Sequence, residues 1–144
     1  MLANPEPIDT DEHKQNPRNC QKDRTGFLDA QRVELIDEVC YFFPDLKFVM
    51  RHGAEPWTAL AVKLMLKWPN LYYSTSAFAP RYYPQTIIDF ANSRGADKVM
   101  YAGYFPMGLS LERIFAELPN VQLKDDVWPK FLRENAQRVF KLDA

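Results

Sequence analysis

From Phe27 onward the apolar positions alternate between two spacings. Leu28, Val33, Ile36, Val39, Cys40 and Phe43 recur at three- and four-residue steps, with Asp29, Glu34, Asp37 and Glu38 on the intervening face. This predicts an amphipathic helix, ended by Pro44. Leu46 to Met50 is a short apolar run broken only by Lys47, the pattern of a strand buried in a parallel sheet. Pro56 suits a first helical position, and Trp57, Leu60, Ala61, Leu64 and Met65 carry a second helix that ends before Pro69-Asn70. Leu71 to Ser74 predicts the second strand, and Gln85 to Ser93 a third helix burying Ile87, Ile88 and Phe90, with Gly95 as its C-cap. Val99 to Tyr101 is the third strand and Leu109 to Leu118 the next helix. The last helix runs from about Asp126 to Phe140, burying Val127, Phe131, Leu132, Ala136 and Phe140 and capped by Asp125 or Asp126.

Alternation of this kind specifies right-handed βαβ units and an α/β fold with a parallel sheet. Three strands are few for such a sheet, so the segment is either a minimal layered domain or part of a larger sheet, and its edges need cover. Residues 1–26 read differently. Pro5, Pro7 and Pro17 stand among charges without apolar periodicity, which marks an irregular N-terminal arm ahead of a βα domain over residues 27–144.

Composition narrows the partners. A net charge of −1, with basic residues scattered, gives no electrostatic footprint for nucleic acid or an anionic membrane. No apolar run approaches the roughly 20 residues that span a bilayer, and the acidic, proline-rich start is the opposite of a signal peptide, so the expected location is cytoplasmic. Cys20 and Cys40 are then expected to stay reduced. Aromatic residues reach 14%, which implies a large apolar surface needing cover.

Candidate chemistry collects around Phe43 to Trp57, where a strand delivers His52 to a loop. A histidine at a strand end can carry or orient a proton; it can equally bond the loop backbone. Arg51 and Glu55 flank it as orienting groups or as solvated charges. Trp57 reads as a core residue or a stacking platform, and Arg81 as a carboxylate clamp or an exposed loop cation. Tyr72, Tyr73, Tyr82 and Tyr83, beside Ser74 and Ser76, offer an aromatic rim or simple strand alternation.

The segments LIDEVCYFFPDLKFVMRHGAEPW, WPNLYYSTSAFAPRYYP and GADKVMYAGYFPMGLSLERIFAELPNVQLKDDVWPKFLRENAQRVFKL resemble the C-terminal part of amidohydrolase-related proteins, over about Asp29 to Leu142. The branch is that of aminocarboxymuconate-semialdehyde decarboxylase and related non-oxidative decarboxylases. The resemblance implies about three βα units of a TIM (β/α)8 barrel, with the three strands standing as the sixth, seventh and eighth. It further implies a divalent metal, zinc, at the strand ends, and His52 as the sixth-strand histidine beside it.

Two departures follow. The family's histidines on strands one and five have no counterpart here, and Tyr104 of Ala102-Gly103-Tyr104-Phe105-Pro106 stands where the eighth-strand aspartate belongs. A catalytic zinc needs about three protein ligands, so no metal ligand is assigned and no cofactor is expected in this chain alone. A phenol is no carboxylate near neutral pH, though it can donate a hydrogen bond.

Two functions remain open. One is a metal-dependent hydrolase or non-oxidative decarboxylase of a small-molecule substrate, reduced to a fragment or diverged member that is inactive alone, with His52 catalytic and Tyr104, Arg81 and Trp57 binding substrate. The other is a non-catalytic barrel remnant that binds a small acid or a partner chain. The open sheet favours a homo-oligomer or pairing with a chain supplying the missing strands.

Overall fold

The computed structural model describes residues 32–142. The predicted arm over residues 1–26, and the start of the helix expected from Leu28, lie outside the described residues. Helix α1 is Leu35–Phe42, strand β1 Phe48–Met50, helix α2 Thr58–Lys67, strand β2 Leu71–Ser74, helix α3 Gln85–Ala91, strand β3 Val99–Met100 and helix α4 Leu111–Glu117. The last helix, α5, has a π-helical segment, Lys130–Glu134, that runs directly into the regular turns of Asn135–Phe140.

The three strands form one parallel sheet in the order β1-β2-β3. Phe48 pairs with Leu71 and Met50 with Tyr73; Tyr73 pairs with Val99 and Ser74 with Met100. The predicted βα alternation is therefore present, with strand positions within two residues of those expected. Leu71 and Tyr73 on β2, Ala61, Leu64 and Met65 on α2, and Ile87, Ile88, Phe90 and Ala91 on α3 share one buried apolar cluster. Helix α3 ends at Ala91 with Asn92 as its C-cap, three residues before the expected Gly95, whose N–H donates to the Phe90 carbonyl at 2.8 Å. A side chain there would also overlap the Phe90 ring, so the position requires glycine for space.

Four other local expectations give way. Helix α2 begins at Thr58, after the short 3₁₀ turn His52–Ala54 and an extended Glu55, so Pro56 precedes the helix where it was expected to open it. The Val127 and Trp128 amides donate to the Lys124 carbonyl at 2.9 and 3.3 Å, so a backbone turn opens the last helix where an aspartate cap was expected. Phe43, counted on the apolar face of the first helix, is 60% exposed. On α5 the buried stripe is Phe131, Asn135 and Val139, which leaves Leu132 and Phe140 turned outward. The stripe is centred on a polar residue, which a search for apolar periodicity passes over.

Asn135 is in the core because β3 needs it there. In a parallel ladder successive residues direct their backbone groups to opposite sides. Lys98 and Met100 present their carbonyls to the amides of Tyr73 on β2 and of Thr75 just past its end, which leaves Val99 and Tyr101 facing the outer edge. The Asn135 side-chain amide donates to the Val99 carbonyl at 2.7 Å and to Ala96 at 2.7 Å. The Tyr101 N–H donates to the Phe131 carbonyl at 2.7 Å, and the Val99 N–H to Gly95. Helix α5 thereby occupies the side of β3 where another strand would pair.

The same end of the sheet, at the strand N-termini, is tied by other polar side chains. Lys98 donates to the carbonyls of Trp68, Pro69 and Leu71 at 2.8, 2.8 and 3.1 Å, and Asn70 to those of Phe43 and Leu46. Lys47 reaches the Arg138 and Val139 carbonyls at the close of α5, where a cation also meets the negative end of the helix dipole.

Asn135→Ala should strand two carbonyls and cost about 3 kcal/mol, since each buried polar group left unpaired forfeits its solvation. Urea denaturation measures this; an unchanged midpoint would mean the β3 edge is held by other groups.

Candidate functional site

At the opposite end of the sheet, the C-terminal ends of the strands, the chain turns sharply three times. After β1, Arg51 stays extended and His52 enters the left-handed region at φ 58°, followed by Ala54 at φ 54°. That conformation is costly for a residue with a side chain, and histidine tolerates it better than most. After β2, the buried run Ser74-Thr75-Ser76 leads to Ala77 at φ 76°. After β3, residues 101–108 form the third loop, which closes on Gly108 at φ 91°, a natural glycine position.

These turns bring two of the sequence candidates together. The rings of His52 and Tyr104 meet edge to face, centroids 6.4 Å apart and planes at 88°, the arrangement that aromatic quadrupoles favour. They come from the first and third loops and meet above the end of the central strand. The Arg51 Nε donates to the Ser76 Oγ at 3.4 Å, and His52 has a hydrogen bond with the Ser76 backbone. Desolvation first, and then the Arg51 charge, hold the His52 imidazole below the usual histidine range, with the Ser76 bond acting in the opposite sense. Near neutral pH His52 is therefore the neutral imidazole, able to donate from one nitrogen and accept at the other.

Behind this pair lies a second polar layer. Thr75 Oγ1 accepts from the Ala102 N–H at 3.3 Å, linking the second loop to the third. Thr75 also shares a hydrogen bond with Tyr83, whose phenol burial pushes up to about 12. Tyr83, Tyr101 and Trp128 each set a ring edge to face against Phe131 of α5. The mouth loops thus rest on the helix that seals β3.

The other two candidates go elsewhere. Trp57 is half-buried and packs against the apolar core just before α2. Arg81 turns to Glu117 of α4, its backbone N–H donating to the carboxylate at 3.4 Å and its guanidinium 3.8 Å away, and lies over the Tyr82 ring. It lines a cleft of about 160 Å³ with Tyr83, Gln85 and Gln122. Glu55 is exposed in the turn before α2. Ser76, named in the sequence beside the tyrosines, here faces Arg51 and His52, and Thr75 is the neighbour that the sequence reading passed over; three hydroxyl residues in a row at the end of a central strand were the available signal.

The donors at this mouth do not suit a metal. One imidazole, a phenol, hydroxyls and a guanidinium supply neither the number nor the charge of a zinc shell. Among the described residues, no three His, Cys, Asp or Glu side chains come close enough to hold an ion.

No curated protein matches the chain in sequence. Among solved structures, it is similar to an uncharacterized TIM-barrel protein from Bordetella bronchiseptica, at 30% identity and a TM-score of 0.68. The match covers 77% of this chain and 40% of that protein, so the α/β unit with its three parallel strands corresponds to part of a barrel. In such barrels the chemistry sits at the C-terminal ends of the strands, which is the end where His52 and Tyr104 meet. The amidohydrolase family matches residues 22–142, nearly the whole sequence. By that match, the chain belongs to the amidohydrolase family.

Proposed function

We propose that the chain binds a small carboxylic acid at the mouth formed by His52, Tyr104, Arg51 and Ser76, and that by itself it does not turn this acid over. The observation that carries this reading is the contact between His52 and Tyr104 across the end of β2. An acid carboxylate placed there meets a guanidinium, a phenolic O–H, a hydroxyl and an imidazole N–H, all of which donate hydrogen bonds. Tyr104 in place of an aspartate changes the mouth from one that attracts cations to one that accepts an anion. Trp57 contributes to this site as part of its apolar support, and Arg81 stands apart from it beside Glu117.

A second reading is favoured by the state of His52. A neutral imidazole held in a strained backbone position is a competent proton carrier. In that reading the chain descends from, or forms part of, a hydrolase or non-oxidative decarboxylase, with His52 moving the proton and the missing groups supplied by other strands.

The pH dependence of binding tests the acid site. In the free protein the imidazole is held below its ordinary range. A bound carboxylate would favour the imidazolium and raise that value. Affinity for a simple carboxylate such as benzoate should therefore rise as pH falls through the bound-state value and level off below the free one. NMR titration of the His52 ring would follow this directly, and His52→Ala should flatten the profile. A wild-type affinity indifferent to pH would remove His52 from the site. Elemental analysis of the purified chain should find no stoichiometric zinc; tight equimolar zinc would overturn the metal-free reading.

A further inference from the structure

We propose that Thr75 is the positioning residue of the mouth, its hydroxyl holding the third loop so that Tyr104 meets His52 and the site keeps its shape for an acid. The role in placing Tyr104 stands on the surroundings of Thr75 alone; the role in affinity rests on the acid-binding reading above. Successive residues at the end of β2 point to opposite faces of the sheet. Ser76 takes the mouth side, where it meets Arg51 and His52. Thr75 takes the other side, is 1% exposed, and reaches Tyr83. It is closed off from a guest at the mouth and acts on one through what it holds.

What it holds is the start of the third loop. Lys98, Met100 and Ala102 alternate toward β2. The first two offer their carbonyls to the Tyr73 and Thr75 amides. The Ala102 N–H is next in line, but the second strand has run out, and the chain turns away at Ala77 with φ 76°. The Thr75 Oγ1 accepts that N–H at 3.3 Å and stands in for a further rung of the ladder.

Beyond this point little else fixes the loop. Gly103 lies so close to the Tyr101 phenol that a side chain there would collide with the hydroxyl. Among the described residues, the hydrogen bonds of residues 103–108 stay within the loop, the Gly108 N–H donating to the Pro106 carbonyl at 2.8 Å. Ala102 is thus the last bonded point before Tyr104, and Thr75 is what bonds it.

NMR of the full chain reads this placement without a ligand. The Tyr104 ring, set edge to face on His52 with centroids 6.4 Å apart, displaces the His52 ring-proton signals, and Tyr104→Leu gives their position without it. Thr75→Val should move these signals most of the way to the Tyr104→Leu position. Thr75→Ser, which keeps the hydroxyl, should leave them near wild type. Benzoate affinity should fall by about fivefold in Thr75→Val, the loss of one hydrogen bond, and return in Thr75→Ser. Packing alone predicts the reverse order, since valine keeps the threonine's shape and serine loses its methyl group. A folded Thr75→Val with wild-type His52 signals, or a loss that serine does not rescue, overturns the proposal. If Thr75→Val fails to fold, hydrogen exchange of the Ala102 amide in the wild type decides: protection supports the bond, and exchange as fast as a free loop amide overturns it. A wild type that does not bind benzoate defeats the acid reading, and the His52 signals then decide the placement of Tyr104 by themselves.

Discussion

A parallel strand carries hydrogen-bonding groups on both sides, and a sheet of three strands must do something with the outer side of each edge strand. At β3 the solution is a helix. The Asn135 side chain and the Phe131 carbonyl act on Val99 and Tyr101 as a neighbouring strand would. The π-helical segment Lys130–Glu134 lies where α5 reaches the edge. Wide turns of this type interrupt the regular helical ladder and recur at places where a helix has a second task. The arrangement removes the solvation cost that two buried backbone groups would otherwise incur.

Much else depends on that seam. Phe131, fixed by the same helix, is the hub against which Tyr83, Tyr101 and Trp128 pack. Tyr83 in turn meets Thr75, and Thr75 holds Ala102, two residues before Tyr104. A chain of direct contacts therefore joins the helix at the edge of the sheet to the loop that presents Tyr104. At the other end of the strands, Lys98, Asn70 and Lys47 bind carbonyls of the connecting segments. The division is the one expected of barrel-type units, with stability at the N-terminal ends and chemistry at the C-terminal ends.

The elements were legible in the sequence because apolar spacing reports burial directly. The four residues Leu71–Ser74 were found with their exact ends, and α3 with its first residue, although it ends at Ala91 with Asn92 as its cap, short of the expected Gly95. The losses came where a polar group does a core residue's work. Asn135 is fully buried, so the expected α5 stripe of Val127, Phe131, Leu132, Ala136 and Phe140 held at Val127 and Phe131 but gave to Leu132 and Phe140 the places that belong to Asn135 and Val139. Tyr73 is also fully buried, with a hydroxyl that has no partner among the described residues. No pattern of hydrophobicity distinguishes it from the half-buried Tyr72 beside it. For the site, the position of His52 followed from a strand meeting a loop, but its pairing with Tyr104 depends on three loops closing over β2. Arg81 failed to join them because Glu117, thirty-six residues later, offers it a carboxylate.

The electrostatics of the mouth turn on the residue that faces His52. A carboxylate beside His52 would raise the imidazole's proton affinity and attract a cation; a phenol does neither. With Tyr104 at that place, the nearest charge to His52 is the Arg51 guanidinium, and it acts with desolvation to keep the ring neutral. A neutral ring costs little to hold in a partly dry mouth, whereas an imidazolium without a counter-ion would be expensive there. On the proposed reading, a tyrosine where the resemblance implies an acidic residue suits the mouth to an anion, while strand, loop and histidine stay where the fold puts them.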